Sequence, residues 1–409
     1  MDPSESPPNR LYAENGGFGS KFGATVAVSG DGTTGLVAAP NHDIEPDTPV
    51  GYAYLFDLTG DGWRTEAALA PPDPHIFGGF GDSADLSVDG DTALIGESSS
   101  VEVRGLTHVF ARNDSGWSHE TTLETASGVR RFGSMVALSG DGTTAIVGST
   151  GEQTVDIHQR NDSRWRHERT VSVADRGSVN GTGTESSGWS TVGGVAVDEA
   201  GTTALVLASP SEEQAGEGRW AVLVFDRTRE GWQQATVLTL PSDQPGDRFG
   251  TAVELSASGT TAVVAWRVQS QGSSDAIRTI LVFDRGTDGW SLQGRFTAEI
   301  PEAQAGPSFD VTRNGKTVLV SGDNPGDWAE SKTPQAQSQG VPSYSVALYH
   351  RKDGEWTRRQ SLEPGFATRS FGSPVALASN GTRALIGAPY DEGLSCDAAG
   401  TAYVFDIDG

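Results

Sequence analysis

The side chains most able to bind a ligand are acidic residues in three polar segments of the chain. Carboxylates bind cations and accept hydrogen bonds from polyhydroxylated ligands. The segments contain Asp43, Glu45 and Asp47; Asp323 and Asp327; and Asp391, Glu392 and Asp397. Because the whole chain is acidic, solvated surface charge also explains these groups, and we favour that interpretation.

One tryptophan stands out as a candidate contact residue. Trp328 lies in the longest polar insertion, SGDNPGDWAESKTPQAQSQG. An aromatic residue in such a loop can stack on a sugar ring or anchor a protein partner. Packing inside the insertion is the alternative, and buried aromatics are common enough to favour it.

Catalytic and metal-binding motifs are missing from the sequence. The seven histidines show no metal-ligand spacing, and HExxH, CxxC and Gly-x-Ser-x-Gly do not occur. Cys396 is the single cysteine, so no intrachain disulfide can form. We therefore expect no catalytic residue, no metal and no cofactor.

The charge balance excludes two classes of partner. The chain has 54 acidic and 29 basic residues, a formal net charge of −25. Nucleic acid and anionic membrane surfaces repel such a protein. Only four basic residues are lysines. This composition resembles proteins of extreme halophiles, although an ordinary acidic secreted protein is an alternative.

A repeated hairpin pattern organises the chain. Phe132–Ser149 reads FGSMVALSGDGTTAIVGS, two apolar runs around a polar turn, which is typical of a β-hairpin. Seven copies occur at intervals of 52–66 residues. Five copies begin with Phe-Gly, at Phe22, Phe80, Phe132, Phe249 and Phe371, and weaker copies lie near Val192 and Ala305.

A second hairpin follows each of the first six. A strand ending in an aromatic residue precedes a tryptophan by seven residues, which predicts a turn of fixed length. One unit therefore has four antiparallel strands, roughly 133–138, 143–148, 153–158 and 165–171 in the third repeat. We expect the tryptophans to pack between neighbouring units. The pairs are Phe56–Trp63, Phe110–Trp117, His158–Trp165, Phe225–Trp232, Phe283–Trp290 and Tyr349–Trp356.

Seven such units predict an all-β, seven-bladed β-propeller that occupies residues 1–409 as a single domain. The last unit lacks its fourth strand, because its third strand ends at Asp406. The segment at about residues 9–14 should supply that strand and close the ring, which leaves no sheet edge exposed at the seam.

The repeat resembles the FG-GAP family, which forms the propeller of integrin alpha subunits. The matching residues are Phe132-Gly133, Gly148-Ser149, Gly387-Ala388-Pro389 and Gly400–Phe405. The resemblance implies an extracellular adhesion role, and it implies calcium in the first hairpin loop. Here that loop reads SGDGTT, with one carboxylate where several are needed, so we expect ordinary tight turns.

Evidence on compartment is mixed. Residues 1–10 show no apolar signal segment, so the chain is either cytoplasmic or begins after a removed signal. Four glycosylation acceptors fall in predicted turns or loops and favour secretion. They are Asn113, Asn161, Asn180 and Asn380.

We interpret the chain as a non-catalytic, extracellular or cell-surface adhesion module. It would be a monomer without membrane insertion, and its loop face would bind a protein or a glycan. A polysaccharide lyase or glycosidase acting at the centre of the ring is one alternative. A structural scaffold without a small ligand is another.

Overall fold

The computed structural model describes most of the chain, and the predicted architecture is confirmed. The described residues form 28 strands and no helix, arranged as seven four-stranded sheets. None of this part of the chain could cross a membrane as a helix. The described residues are 9–13, 17, 19–43, 48–98, 105–125, 129–150, 152–161, 164–173, 189–210, 221–239, 248–269, 276–299, 308–323, 345–365, 368, 370–391 and 399–407.

Each sheet is one blade, and its strands are given from the ring axis outward. Blade 1 contains β2 (Thr25–Val28), β3 (Thr34–Ala39), β4 (Tyr52–Thr59) and β5 (Gly62–Leu69). Blade 2 contains β6 (Phe80–Leu86), β7 (Thr92–Glu97), β8 (Leu106–Asn113) and β9 (Gly116–Leu123). Blade 3 contains β10 (Phe132–Leu138), β11 (Thr144–Ser149), β12 (Thr154–Asn161) and β13 (Arg164–Ser172). Blade 4 contains β14 (Trp189–Val197), β15 (Thr203–Pro210), β16 (Ala221–Thr228) and β17 (Gly231–Leu238).

The remaining three blades follow the same order. Blade 5 contains β18 (Arg248–Leu255), β19 (Thr261–Gln269), β20 (Ala276–Gly286) and β21 (Gly289–Glu299). Blade 6 contains β22 (Phe309–Val311), β23 (Thr317–Asp323), β24 (Ser345–Lys352) and β25 (Glu355–Leu362). Blade 7 contains β26 (Val375–Leu377), β27 (Arg383–Ala388), β28 (Thr401–Asp406) and β1 (Asn9–Leu11).

The two ends of the described chain close the ring, as predicted. β1 pairs antiparallel with β28, with Asn9 opposite Val404 and Leu11 opposite Ala402. The strand ends at Leu11 and is shorter than the predicted 9–14. Leu11 is buried against the core between blades 7 and 1. The seam therefore has both a hydrogen-bonded ladder and an apolar contact.

The Phe-Gly pairs of blades 1 and 3 contact the blade before. Phe132 is buried, and Gly133 has a φ of 84°, a conformation that favours glycine. The Gly133 carbonyl lies directly over Gly96 in β7, where an added Cβ would sit 1.9 Å from that oxygen. Gly387 in β27 lies under the Gly23 carbonyl in the same way. The two glycine positions of the repeat thus permit backbone contact between blades.

The SGDGTT turns use their own carboxylate. Ser29 Oγ donates to Asp31 Oδ1 (2.7 Å), and the Thr33 N–H donates to the same oxygen (2.9 Å). The Thr34 N–H donates back to Ser29 Oγ (3.0 Å). The turn at Ser139–Thr144 repeats this network. The aspartate serves the local turn geometry, as the sequence suggested.

The turns between the first and second strands of the seven blades also bond to one another. They lie at one end of the ring, which we call the lower face, and the connections between second and third strands and between blades lie at the upper face. Backbone N–H···O bonds of 2.8–3.2 Å link every turn to the next and return to the first. The bonds run Gly30→Val88, Val88→Gly140, Asp141→Glu199, Glu199→Ala257, Ser258→Arg313, Arg313→Ser379 and Asn380→Gly30.

The periodic tryptophans pack between blades, which confirms the structural prediction. Trp232 is fully buried between blades 3 and 4, and the other five lie partly buried against the core shared with the preceding blade. Nearby arginines at the ends of the third strands add ion pairs to the preceding blade. The pairs are Arg112–Asp57, Arg160–Glu120, Arg227–Glu168, Arg285–Asp226 and Arg351–Asp284.

Candidate functional site

The structure describes the side chains of two of the predicted ligand residues, and these two lie in different environments. Asp43 is exposed. Asp391 is buried, and it accepts a 2.5 Å hydrogen bond from the Tyr403 hydroxyl. Burial and this bond raise the pKa of Tyr403. Asp391 therefore anchors its loop. Glu45, Asp47, Asp327, Trp328, Glu392 and Asp397, together with the side chain of Asp323, lie outside the described residues.

The candidate glycosylation sites are exposed where the structure describes them. Asn113 and Asn161 end their strands, and Asn380 lies in a turn. Asn380 Oδ1 accepts hydrogen bonds from the N–H and hydroxyl of Thr382. Asn180 lies outside the described residues.

A polar residue in the third strand bonds to the end of the second strand or to the loop after it in three adjacent blades. It stands two residues before the strand's aromatic residue. Tyr403 holds Asp391 in blade 7, Tyr54 Oη lies 3.4 Å from His42 Nδ1 in blade 1, and His108 Nε2 lies 2.9 Å from Glu97 Oε2 in blade 2. Blades 4, 5 and 6 have Leu223, Leu281 and Ala347 at this position. Blades 7, 1 and 2 thus share a type of anchor at the upper face that blades 4, 5 and 6 lack.

The anchor in blade 2 extends to the surface. Glu97 is 1% exposed, and its second oxygen lies 3.0 Å from Nδ1 of the partly exposed His75. His108 Nδ1 lies 3.1 Å from Thr122 Oγ1. A Cβ on Gly78 would sit 2.3 Å from the Glu97 carboxylate, so this glycine lets the loop approach. One buried carboxylate therefore joins a surface histidine to the blade core.

Two apolar side chains project beside His75. Ile76 is 55% exposed and Phe77 is 66% exposed, and we call this pair the apolar knuckle. Phe77 has a φ of 61°, and its N–H donates a 2.6 Å hydrogen bond to the Pro49 carbonyl. A left-handed aromatic residue is strained, and it persists only where its surroundings hold it. Tyr390 is also exposed on this face, in blade 7.

Three acidic residues line the ring axis, and the sequence analysis did not single them out. Asp85, Glu254 and Asp310 occupy one repeat position on the inner strands, opposite Leu94, Val263 and Leu319 in their ladders. The same position holds alanine in the other four blades: Ala27, Ala137, Ala196 and Ala376. This departure from alanine within the repeat is the signal that could have identified them.

The two aspartates bridge neighbouring blades. Asp85 Oδ1 accepts the Leu86 N–H and its Oδ2 accepts the Leu138 N–H of blade 3, both at 2.8 Å. Asp310 likewise accepts the N–H groups of Val311 (2.6 Å) and Leu377 (2.7 Å). Burial raises the pKa of Asp85 to about 6 and that of Asp310 to about 7.

Glu254 differs from both aspartates. Within the described part of the chain its carboxyl makes no hydrogen bond. Its side chain is half-buried. Burial raises its pKa well above the ordinary range, and the charges of Asp310 and Asp85 raise it further. Near neutral pH the channel thus holds protons that free carboxyl groups would lose.

Side chains of the turns on the lower face pack against one another. A Cβ on Gly30 would sit 2.5 Å from Val88 Cγ1, and one on Gly140 would sit 2.5 Å from Glu199 Cγ. Glu199 forms an ion pair with Arg313 of blade 6. Val88 and Glu199 therefore pack against the turns of neighbouring blades, and the Glu199–Arg313 pair links blades 4 and 6.

Comparisons with known proteins support the fold. No protein-family model and no curated protein matches the chain. The β-propeller domain of Myceliophteria thermophila Cps50 (Swd1) is similar, with a TM-score of 0.61, 10% identity and coverage of 99% of this chain and 100% of that one. Kuenenia stuttgartiensis hydrazine synthase is similar with a TM-score of 0.56 and 10% identity, and the match covers 97% of this chain and 99% of that one. The periplasmic gluconolactonase of Pseudomonas aeruginosa is similar with a TM-score of 0.50 and 16% identity, and the match covers 86% of each chain. At these identities the likeness concerns the fold alone, and the chain is a seven-bladed β-propeller.

Proposed function

We propose that this propeller is a non-catalytic binding module, secreted or displayed at the cell surface. It binds a protein partner through the upper face of blades 7, 1 and 2. The main evidence is the apolar knuckle, Ile76 and Phe77. Large apolar side chains held rigidly in solvent are typical of interface anchors, because their conformation needs no ordering on binding.

The surroundings of the knuckle indicate the chemistry of the partner. Asp43 and Asp73 are exposed on the same face. An apolar pocket with a basic rim would complement the knuckle and these carboxylates. The His75–Glu97 contact ties the loop to the core of blade 2. The exposed Asn113, Asn161 and Asn380 are compatible with an extracellular protein.

Variants of the knuckle test this proposal. A partner isolated on the wild-type protein is titrated against Ile76→Ser/Phe77→Ser by biolayer interferometry. Losing two anchors should weaken binding at least roughly tenfold. Leu292→Ser is the control, since Leu292 is 37% exposed on the outer strand β21. Circular dichroism checks that both variants fold.

Two results would overturn the proposal. One is equal affinity of the knuckle variant and the wild type. The other is a glycan-array signal that depends on Tyr390 and is unchanged in the knuckle variant. The second result would assign the face to a sugar.

A hydrolytic enzyme is the second candidate, and the channel carboxyl groups favour it. A glycosidase needs one protonated and one ionised carboxyl, and groups with raised pKa values suit that chemistry. The similar Pseudomonas protein is named a gluconolactonase. Turnover of gluconolactone or a polysaccharide that Glu254→Gln abolishes would support this candidate. Turnover unchanged in that variant, or none at all, would exclude these carboxyl groups as its acid and base.

A further inference from the structure

We infer that the outer halves of blades 2 and 3 form an acid-sensitive contact, which opens when His158 takes up a proton. This contact does not depend on the proposed binding function of the upper face. The observation behind it is a buried histidine at a position where the fold needs only an aromatic ring. In the part of the chain that the structure describes, its Nε2 atom is buried and has no hydrogen-bond partner.

The repeat shows what this position of the third strand requires. The ring of His158 lies 6.1 Å from that of Phe132, and the rings of Phe110 and Phe80 lie 6.0 Å apart in blade 2. Histidine therefore keeps the ring contact of the repeat and adds a group that can gain a charge. The other six blades have Phe56, Phe110, Phe225, Phe283, Tyr349 and Phe405 at this position.

The contact with Phe132 places His158 beside the core that blades 2 and 3 share. His158 is 3% exposed. A charge gained at this depth is costly unless a partner compensates it. Beside the same core, Arg160 of blade 3 forms an ion pair with Glu120 of blade 2 (3.1 Å). Blade 2 contributes Leu94, Val109 and Leu123 to the shared core.

Two titratable groups act on His158, and their effects oppose each other. Burial lowers the pKa of His158 to about 4, although Asp156 on the same strand raises it, and His167 on β13 lowers it further. The rings of His158 and His167 are 5.4 Å apart. Asp156 already accepts a 2.5 Å hydrogen bond from the Thr170 hydroxyl. Among the described residues, no charged group of blade 2 acts on His158.

Blade 2 shows how a buried histidine is otherwise accommodated. His108 is 1% exposed, and its Nε2 lies 2.9 Å from the Glu97 carboxylate. Its Nδ1 lies 3.1 Å from Thr122 Oγ1. A proton gained by His108 would thus meet a carboxylate, whereas Nε2 of His158 has no acceptor. His158 is therefore the buried histidine whose protonation the folded state disfavours.

The ring axis responds to acid in the opposite direction. Asp85 joins the same two blades there through the Leu138 N–H, and burial raises its pKa to about 6. Falling pH therefore favours the closed form at the axis. His158 lies two strands further out, on β12, and below its ordinary pKa of 6.5 its open form binds the proton more readily. Mild acid should thus loosen the outer halves of the blades and leave the axis closed.

Hydrogen exchange followed by mass spectrometry tests the inference. The pKa of His158 changes from about 4 in the closed form to 6.5 in the open form. Protection factors of the β12 and β13 amides, corrected for the intrinsic exchange rate, should therefore fall roughly twentyfold between pH 7 and pH 5. The Leu138 amide at the axis should keep its protection. In His158→Phe the decrease should disappear, because phenylalanine keeps the ring and binds no proton.

The matched control is His350→Gln. His350 is half-buried in blade 6, with its Nδ1 3.0 Å from Thr317 Oγ1, so this variant should keep the wild-type decrease in β12 and β13. Circular dichroism checks folding, and His158→Tyr, which copies blade 6, replaces His158→Phe if that variant does not fold.

Three results would overturn the inference. The first is an equal decrease in His158→Phe and the wild type. The second is protection of β12 and β13 that does not change between pH 7 and pH 5 in the wild type. The third is an equal loss of protection in all seven blades, which would mean global unfolding instead of a local opening.

Discussion

The contact between the Phe-Gly pair and the preceding blade predicts unequal effects of one substitution at equivalent positions. In Gly96→Ala the new Cβ would lie 1.9 Å from the Gly133 carbonyl oxygen and 2.4 Å from Ser83 Oγ. Carbon–oxygen contacts settle at about 3.3–3.6 Å, so the blades must separate by more than 1 Å. In Gly148→Ala the nearest atom is the flexible Cε of Met135, at 3.1 Å. Blade 4, which follows, lacks the Phe-Gly pair.

Overpacking costs about 1–3 kcal/mol, and a clash with backbone belongs at the upper end of that range. We expect Gly96→Ala to lose about 3 kcal/mol of unfolding free energy and Gly148→Ala less than about 1 kcal/mol. The entropy of unfolding of 409 residues makes 1 kcal/mol worth roughly 1 °C in Tm.

Guanidinium unfolding followed by circular dichroism, together with calorimetry, measures both quantities. Gly60→Ala is the control, because its Cβ would meet nothing within 4 Å. Equal losses in Gly96→Ala and Gly148→Ala would refute the role that we assign to the Phe-Gly pair.

Three further predictions concern the axis, the arginines and the seam. Burial raises the pKa of Asp310 from 3.8 to about 7. Between these pH values the folded state therefore holds more protons than the unfolded state. The free energy of unfolding should fall as pH rises through this range, by at most on the order of 4 kcal/mol. Burial also raises the pKa of Glu254, and Glu254→Gln removes that titration. Denaturant midpoints from pH 4 to 8 should therefore show this variant gaining on the wild type with rising pH, and a pH-independent difference would contradict this. Arg285→Lys loses the bidentate ion pair with Asp226, whose two N···O distances are 2.5 and 2.9 Å. The free energy of unfolding should fall by up to about 1 kcal/mol in low salt and by less in 1 M NaCl. An equal loss at both salt concentrations would contradict an ion pair. Leu11→Asp places a charge in the buried seam between blades 7 and 1. It should lower the free energy of unfolding by about 3 kcal/mol or more and expose β1 to proteolysis. An unchanged digestion pattern would contradict the role of β1 in closing the ring.

The sequence predicted the repeating parts of this structure well. Strand periodicity and turn residues defined the blades, and the third repeat was expected at 133–138, 143–148, 153–158 and 165–171 against Phe132–Leu138, Thr144–Ser149, Thr154–Asn161 and Arg164–Ser172. These features depend on contacts within one hairpin, so one copy of the repeat contains the information.

The candidate sites depend on contacts between hairpins, and for that reason the sequence did not reveal them. Asp85 and Glu254 are 169 residues apart, and only closure of the ring brings them to one axis. His75 and Glu97 belong to the linker and the second strand, whose relative position is set by packing. The exposure of Phe77 depends on its bond to Pro49 in the preceding blade. Acidic loops, by contrast, were visible in the sequence, yet Asp391 proved to be an internal anchor.

The seam has a mechanical consequence. Asn9 lies opposite Val404, so the chain leaves β1 and β28 at the same edge of blade 7. A force that pulls on both ends would break the three residue pairs one after another instead of shearing them together. A propeller tethered through both ends would therefore open at low tension, whereas one tethered at one end and loaded through a blade would resist.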